Sequence, residues 1–133
     1  MEKKQLKLII PRLMYTIKKE FHFSASHQLH GLPKEHPCSN LHGHNYIVTV
    51  ELSSIELNSV GFVVDYRDLE PIKKFIDTYF DHKHLNDVLP VNPTAENIAK
   101  TIFIEFRKQF PEITAVEVSE TPKTMARYTP KFD

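Results

Sequence analysis

From Tyr15 to Phe23 the odd positions are Tyr, Ile, Lys, Phe and Phe, and the even ones Thr, Lys, Glu and His. That is close to the two-residue period of a half-buried strand, and the same parity places Ala25 and His27 on the phenylalanine side. A loop rich in Pro, Gly, Ser and Asn follows over about 31–40. His42, His44, Tyr46, Val48, Val50 and Leu52 then share one side of a second strand, opposite Asn45, Thr49 and Glu51, with Ile47 as the exception. The pattern predicts a third short strand over Val60–Val64, paired antiparallel with the second. Leu69, Ile72, Phe75, Ile76, Tyr79 and Phe80 recur at helical spacing. Asp65 or Asp68 is available as N-cap, and Pro71 is tolerable only near the first turn, so this helix starts late. A second helix has Thr94 as N-cap, Ala95, Ile98, Ala99, Ile102, Phe106 and Phe110 on one face, and Pro111 as its stop. Residues 113–120 return to strand character, and 125–129 form a last strand. The order predicts an α+β domain, an antiparallel sheet with two helices on one face.

Composition changes this picture little. The 133 residues are enough for one domain with a real core. Residues 1–14, MEKKQLKLIIPRLM, are basic and then briefly apolar, and read as an appended arm to a single domain over 15–133. Seventeen Lys and Arg balance 17 Asp and Glu, which argues against nucleic acid as a partner. No apolar run approaches the roughly 20 residues of a membrane-spanning helix. The single Cys and the absence of a signal-like opening point to a reducing, cytoplasmic setting.

Histidine carries the chemistry. Of eight, His22, His27, His30, His36, His42 and His44 crowd into one stretch. His42 and His44 project from the same face of their strand and can converge on one ion. That face is the inward one, where an unpartnered imidazole would cost a few kcal/mol. His27 ends the inward side of the first strand and is the natural third ligand. Three imidazoles leave a tetrahedral ion one open position, the pattern of catalytic zinc. His22 has outward parity, and His30 and His36 lie in the loop, so these three are read as non-ligands. Cys38, four residues before His42, is open to three roles: fourth ligand, buried structural thiol, or general base activated by a nearby cation. The run from Asp81 to Asp87 is dense in titratable groups; an Asp beside a His can fix its tautomer, although adjacency alone does not make the bond. Glu120 ends a strand with Val116 and Val118 on its side, so its carboxylate either points inward or frays into solvent.

FHFSASH, HPCSNLHGHNY, DHKHLND, NPTAEN and VSET, in this order across Tyr15 to Tyr128, resemble the 6-pyruvoyltetrahydropterin synthase superfamily. The spacing of Cys38, His42 and His44 resembles its bacterial branch, the 6-carboxy-5,6,7,8-tetrahydropterin synthases of queuosine biosynthesis. The resemblance implies a tunnelling fold, in which subunits join their sheets into an oligomeric barrel, commonly a homohexamer of two trimers with active sites between subunits. It implies a lyase that converts 7,8-dihydroneopterin triphosphate to 6-carboxy-5,6,7,8-tetrahydropterin with loss of acetaldehyde and triphosphate. By the same resemblance His27, His42 and His44 would hold Zn2+, Cys38, Asp81 and His82 would move protons, and Glu120 would grip the pterin. Thr94 matches a position near the pterin edge. The competing readings are the pyruvoyl-forming synthase, a pterin- or zinc-binding protein without turnover and, with no HExxH motif to support it, a zinc hydrolase.

Overall fold

The computed structural model describes residues 13–131. The chain runs β1 (Tyr15–His27), β2 (His42–Ser54), α1 (Glu70–Tyr79), β3 (Lys83–His84), α2 (Ala95–Arg107), β4 (Ile113–Thr121) and β5 (Thr124–Tyr128). One sheet has the order β3-β1-β2-β4-β5. β1 and β2 pair antiparallel over their full length, from Tyr15 opposite Ser54 to His27 opposite His42. The last residue of β1 and the first of β2 therefore bring two imidazoles together at one end of a long hairpin.

The alternation of the two strands is what buries them. Phe21, Phe23, Ala25 and His27 from β1 and Tyr46, Val48, Val50 and Leu52 from β2 are buried, while their alternates are exposed or half-buried. α1 lays Ile72 and Ile76 onto this face, and α2 lays Ile98, Ala99, Ile102 and Phe106. Ile72, Ile98 and Ile102 are fully buried, each contributing roughly 1.5–3 kcal/mol relative to exposure. Phe23 stacks on Tyr46 with ring centroids 4.6 Å apart, so the aromatic layer runs directly into the histidine end of the sheet. The opposite face is polar. There Arg127 donates to Glu51 at 2.7 Å and to Glu117 at 2.6 Å, tying β5 across β4 to β2. Burial pushes the Glu51 carboxyl up, but the Arg127 hydrogen bond and charge outweigh it and hold it below the usual range.

The fold class matches the α+β expectation, with three differences in detail. The four antiparallel strands are joined by a fifth, the two-residue β3, which runs parallel to β1 at Ala25 and Ser26. The expected strand over Val60–Val64 does not form. Asn58 Oδ1 accepts the N–H groups of Val60, Gly61 and Phe62 at 3.0–3.1 Å, and Gly61 adopts φ +101°. Both edges of β2 are already taken by β1 and β4, so a third partner has nowhere to pair. The first helix is preceded by a 3-10 turn, Tyr66–Leu69, capped by Asp65, with Pro71 inside the first turn of α1. Thr94 caps α2 by accepting from Asn97 N–H. Of the arm assigned to residues 1–14, residues 1–12 lie outside the described residues.

Candidate functional site

His27, His42 and His44 converge. Their ring centroids form a triangle of 4.4, 5.1 and 4.9 Å, and one nitrogen of each lies within 4.8 Å of the others. Backbone carbonyls set two of the tautomers, because a carbonyl can only accept. His27 Nδ1–H donates to Pro93 O at 2.7 Å, and His42 Nδ1–H donates to Asn40 O at 2.7 Å. The two Nε2 atoms, both then bare acceptors, face each other at 2.9 Å. His27 is fully buried, and His44 Nε2 is a buried nitrogen with no hydrogen-bond partner. Neutral imidazoles aimed at one another, two of them oriented by a carbonyl on the far side, suit a borderline-soft divalent cation. Gly43, between the two strand histidines, allows the close approach: a Cβ there would stand 3.3 Å from Ala25 O.

Glu120 does not fray. Its Oε2 lies 3.0 Å from His44 Nε2, off the hydrogen-bonding direction of the ring, with the carboxylate half-buried. Burial holds the His44 imidazole below its ordinary range, against the pull of Glu120 and aided by His27 and His42, so its lone pair is free near neutral pH. Tyr46 lies below the cluster with its hydroxyl 3.2 Å from His27 Nδ1. Burial, with the Glu120 charge behind it, pushes its phenol well above the usual value, and it stays neutral. Glu120 also lines a small cavity of about 240 Å3 with Ala95, Glu96 and Met125, at the start of α2.

Asp81 and His82 do bond to each other, Oδ2 to Nδ1 at 2.9 Å. Asp81 Oδ1 accepts the Ser24 N–H at 2.9 Å, and His82 N–H donates to Ser24 O at 2.6 Å. His82 is held in the left-handed region at φ +59°, a conformation that a non-glycine residue keeps only where its surroundings impose it. The Ser24 hydrogen bond first, and His82 second, hold the Asp81 carboxyl below its usual range. The pair is not part of the histidine cluster. It sits on the outer edge of β1, where His82, with Ser24, Ser26, Asn45, His84 and the cluster's own His44, lines an open cavity of about 530 Å3.

Cys38 is half-buried in the turn Pro37–Ser39, whose N-terminus is capped by His36 Nδ1 accepting the Cys38 N–H. Leu29 N–H to Cys38 O and Gln28 Nε2 to Ser39 O staple that turn beside the end of β1. Cys38 is outside the group of convergent ligand atoms. Thr94 Oγ1 is occupied as a hydrogen-bond acceptor at the α2 cap, with its own O–H free to donate. His22 is exposed, 3.7 Å from Glu20, and His30 contacts Asn86.

Sequence reasoning missed Asn86 and Asn92. Asn86 accepts Gln28 N–H at 2.9 Å and donates to Gln28 O at 2.7 Å. Asn92 pairs in the same way with His30, at 3.0 and 2.9 Å. The available signal was chemical: an asparagine amide, like glutamine's on its longer stem, carries a donor and an acceptor arranged like a peptide group.

The comparisons agree with this geometry. The family model for 6-pyruvoyl tetrahydropterin synthase matches residues 16–131. A 6-carboxy-5,6,7,8-tetrahydropterin synthase of Bacillus subtilis is 33% identical over 132 residues, covering 88% of this chain and 86% of its own. One from Synechocystis is 37% identical, covering 86% and 93%. The structure of Caenorhabditis elegans 6-pyruvoyl tetrahydropterin synthase superposes with a TM-score of 0.78 at 26% identity, covering 92% of this chain and all of that one. The Plasmodium falciparum synthase, at 18% identity and a TM-score of 0.70, shares the fold, with 90% of this chain and 99% of its own covered.

Proposed function

Because the chain belongs to the 6-pyruvoyl tetrahydropterin synthase family, we propose that it converts 7,8-dihydroneopterin triphosphate to 6-carboxy-5,6,7,8-tetrahydropterin, releasing acetaldehyde and triphosphate on the route to queuosine. The observation that carries this reading is the meeting of His27, His42 and His44 with the half-buried carboxylate of Glu120. Zn2+ held by the three imidazoles with a position left open would supply Lewis acidity toward the substrate's side-chain oxygens and so acidify the adjacent C–H.

The remaining work falls to the chain's own groups. Glu120 accepts the two parallel N–H donors of the pterin ring, and the free O–H of Thr94, the residue before Ala95 on the wall of the small cavity that Glu120 lines, serves the same edge. Cys38 removes the carbon-bound proton. His82 passes protons through Nε2 while Asp81 holds Nδ1, and the Ser24 N–H keeps Asp81 ionised for that task. The dyad lies outside the group of convergent imidazoles, beside an open cavity that His44 also lines, which suits an active site completed by a second copy of the chain, in a homohexamer of two trimers. No helix of the described residues is long and apolar enough to cross a membrane, and a single unpaired thiol suits the reducing cytoplasm.

A second reading, pyruvoyl formation without loss of acetaldehyde, is favoured by the fold match with the Caenorhabditis synthase. The Cys38, His42 and His44 spacing and the named bacterial relatives favour the carboxy-forming reaction. Triphosphate release by the wild type and by Cys38→Ala tests the catalytic assignment. The expected outcome is loss of turnover with zinc content retained; an unchanged rate in Cys38→Ala would remove Cys38 from the chemistry, and a wild type that releases no triphosphate would leave only a binding protein.

A further inference from the structure

Residues Ser24, Ser26, Gln28 and His30 follow one another at strand period and offer successive peptide groups along one edge of the chain. Each is met by a different partner from the segment 81–92. Ser24 is met by Asp81 and His82, Ser26 by β3, Gln28 by Asn86 and His30 by Asn92. The ladder of β1 to β2 stops at His27 opposite His42, so beyond His27 the side-chain amides continue the pairing that a strand would have supplied.

The second amide also reaches the candidate metal centre through its own turn. Asn92 O accepts Thr94 N–H at 2.8 Å and Asn97 Nδ2–H at 2.8 Å, which fixes the turn leading into α2. Pro93, the residue between, is the one whose carbonyl accepts from His27 Nδ1 at 2.7 Å. Asn92 thus grips the chain three residues after His27 and holds the turn that orients His27 itself.

We propose that Asn92, with Asn86 beside it, is a positioning residue for the metal centre: it locks the Pro93 carbonyl against His27 Nδ1, and so fixes the tautomer and aim of the buried ligand. This inference rests on the metal reading above. Partners that orient a ligating histidine are worth 10- to 100-fold in metal affinity, and here the partner is a carbonyl held in place by an asparagine clamp.

The test is competition between the full-length protein, first stripped of metal, and a chromogenic chelator for Zn2+, with the Co2+ absorption spectrum as a second readout of ligand geometry. Asn92→Ala is expected to weaken Zn2+ binding at least about 10-fold and to alter the Co2+ spectrum. Asn58→Ala removes a comparable clamp from the remote 58–62 loop and is expected to leave affinity and spectrum unchanged. If Asn92→Ala does not fold, Asn92→Asp keeps the acceptor for His30 N–H, puts a carboxylate oxygen against His30 O in place of the donor, and should still weaken binding. Wild-type affinity and spectrum in the folded Asn92 variants would overturn this inference alone. A wild-type protein that binds no Zn2+ would overturn it together with the metal reading.

Discussion

Loading Zn2+ onto the metal-free protein is expected to raise its melting temperature by about 10 °C when free metal stands at 100 times the dissociation constant. The site exists only in the folded chain, because His27 and His42 are brought together by the closing pair of the β1–β2 ladder. Ligand bound only by the native state at that excess contributes about 2.7 kcal/mol. The unfolding entropy of a 133-residue chain is about 0.28 kcal/mol/K, from roughly 2.1 cal/mol/K per residue, and the ratio gives the shift. The fold adds a reason for a clear response: without a cation two acceptor nitrogens face each other at 2.9 Å. His42→Ala, if it weakens affinity about 100-fold, leaves about 0.4 kcal/mol at the same free metal, a shift of only about 1–2 °C. His22, exposed on the far parity of β1, is expected to be dispensable. Thermal melts by circular dichroism, with and without a chelator, check all three proteins. Equal loss of the shift in His22→Ala and His42→Ala, or a full shift in His42→Ala, would refute the reasoning.

Two further outcomes follow from single contacts. Thr94→Ala removes the cap on Asn97 N–H and is expected to cost about 1 kcal/mol of stability, read by chemical denaturation; a cost near zero would mean that the α2 N-terminus does not depend on that hydroxyl. Asp81 has its carboxyl held below the ordinary aspartate value of about 3.9, chiefly by Ser24 N–H and then by His82. Its contribution is therefore fully present above that value and is lost as pH falls through the lower folded one. The stability gap between wild type and Asp81→Asn should be constant from pH 5 to 6 and narrow below about pH 4; a gap that narrows only above pH 6 would assign the effect to the imidazole instead.

Much of this arrangement is legible in the alternation of side chains. The parity of β1 and β2 carries His27, His42 and His44 to one face, because a strand's period leaves no other choice once Phe21, Phe23, Tyr46 and Val48 are buried. The α2 cap is local chemistry between Thr94 and Asn97 and reads equally well. What parity does not show is competition for backbone groups. Val60–Val64 has strand-like residues, yet Asn58 captures three of its N–H groups before any ladder can. The Asp81–His82 bond depends on a left-handed residue and on the free edge of β1, both set by where α1 delivers the chain. Asn86 and Asn92 escaped notice for the same reason: their partners, Gln28 and His30, are some sixty residues away.

The central claim concerns what leaves the substrate. Incubating the zinc-loaded protein with 7,8-dihydroneopterin triphosphate and identifying the products by mass should give 6-carboxy-5,6,7,8-tetrahydropterin and one acetaldehyde per turnover. A pterin product that keeps the whole three-carbon side chain, with no acetaldehyde formed, would contradict it.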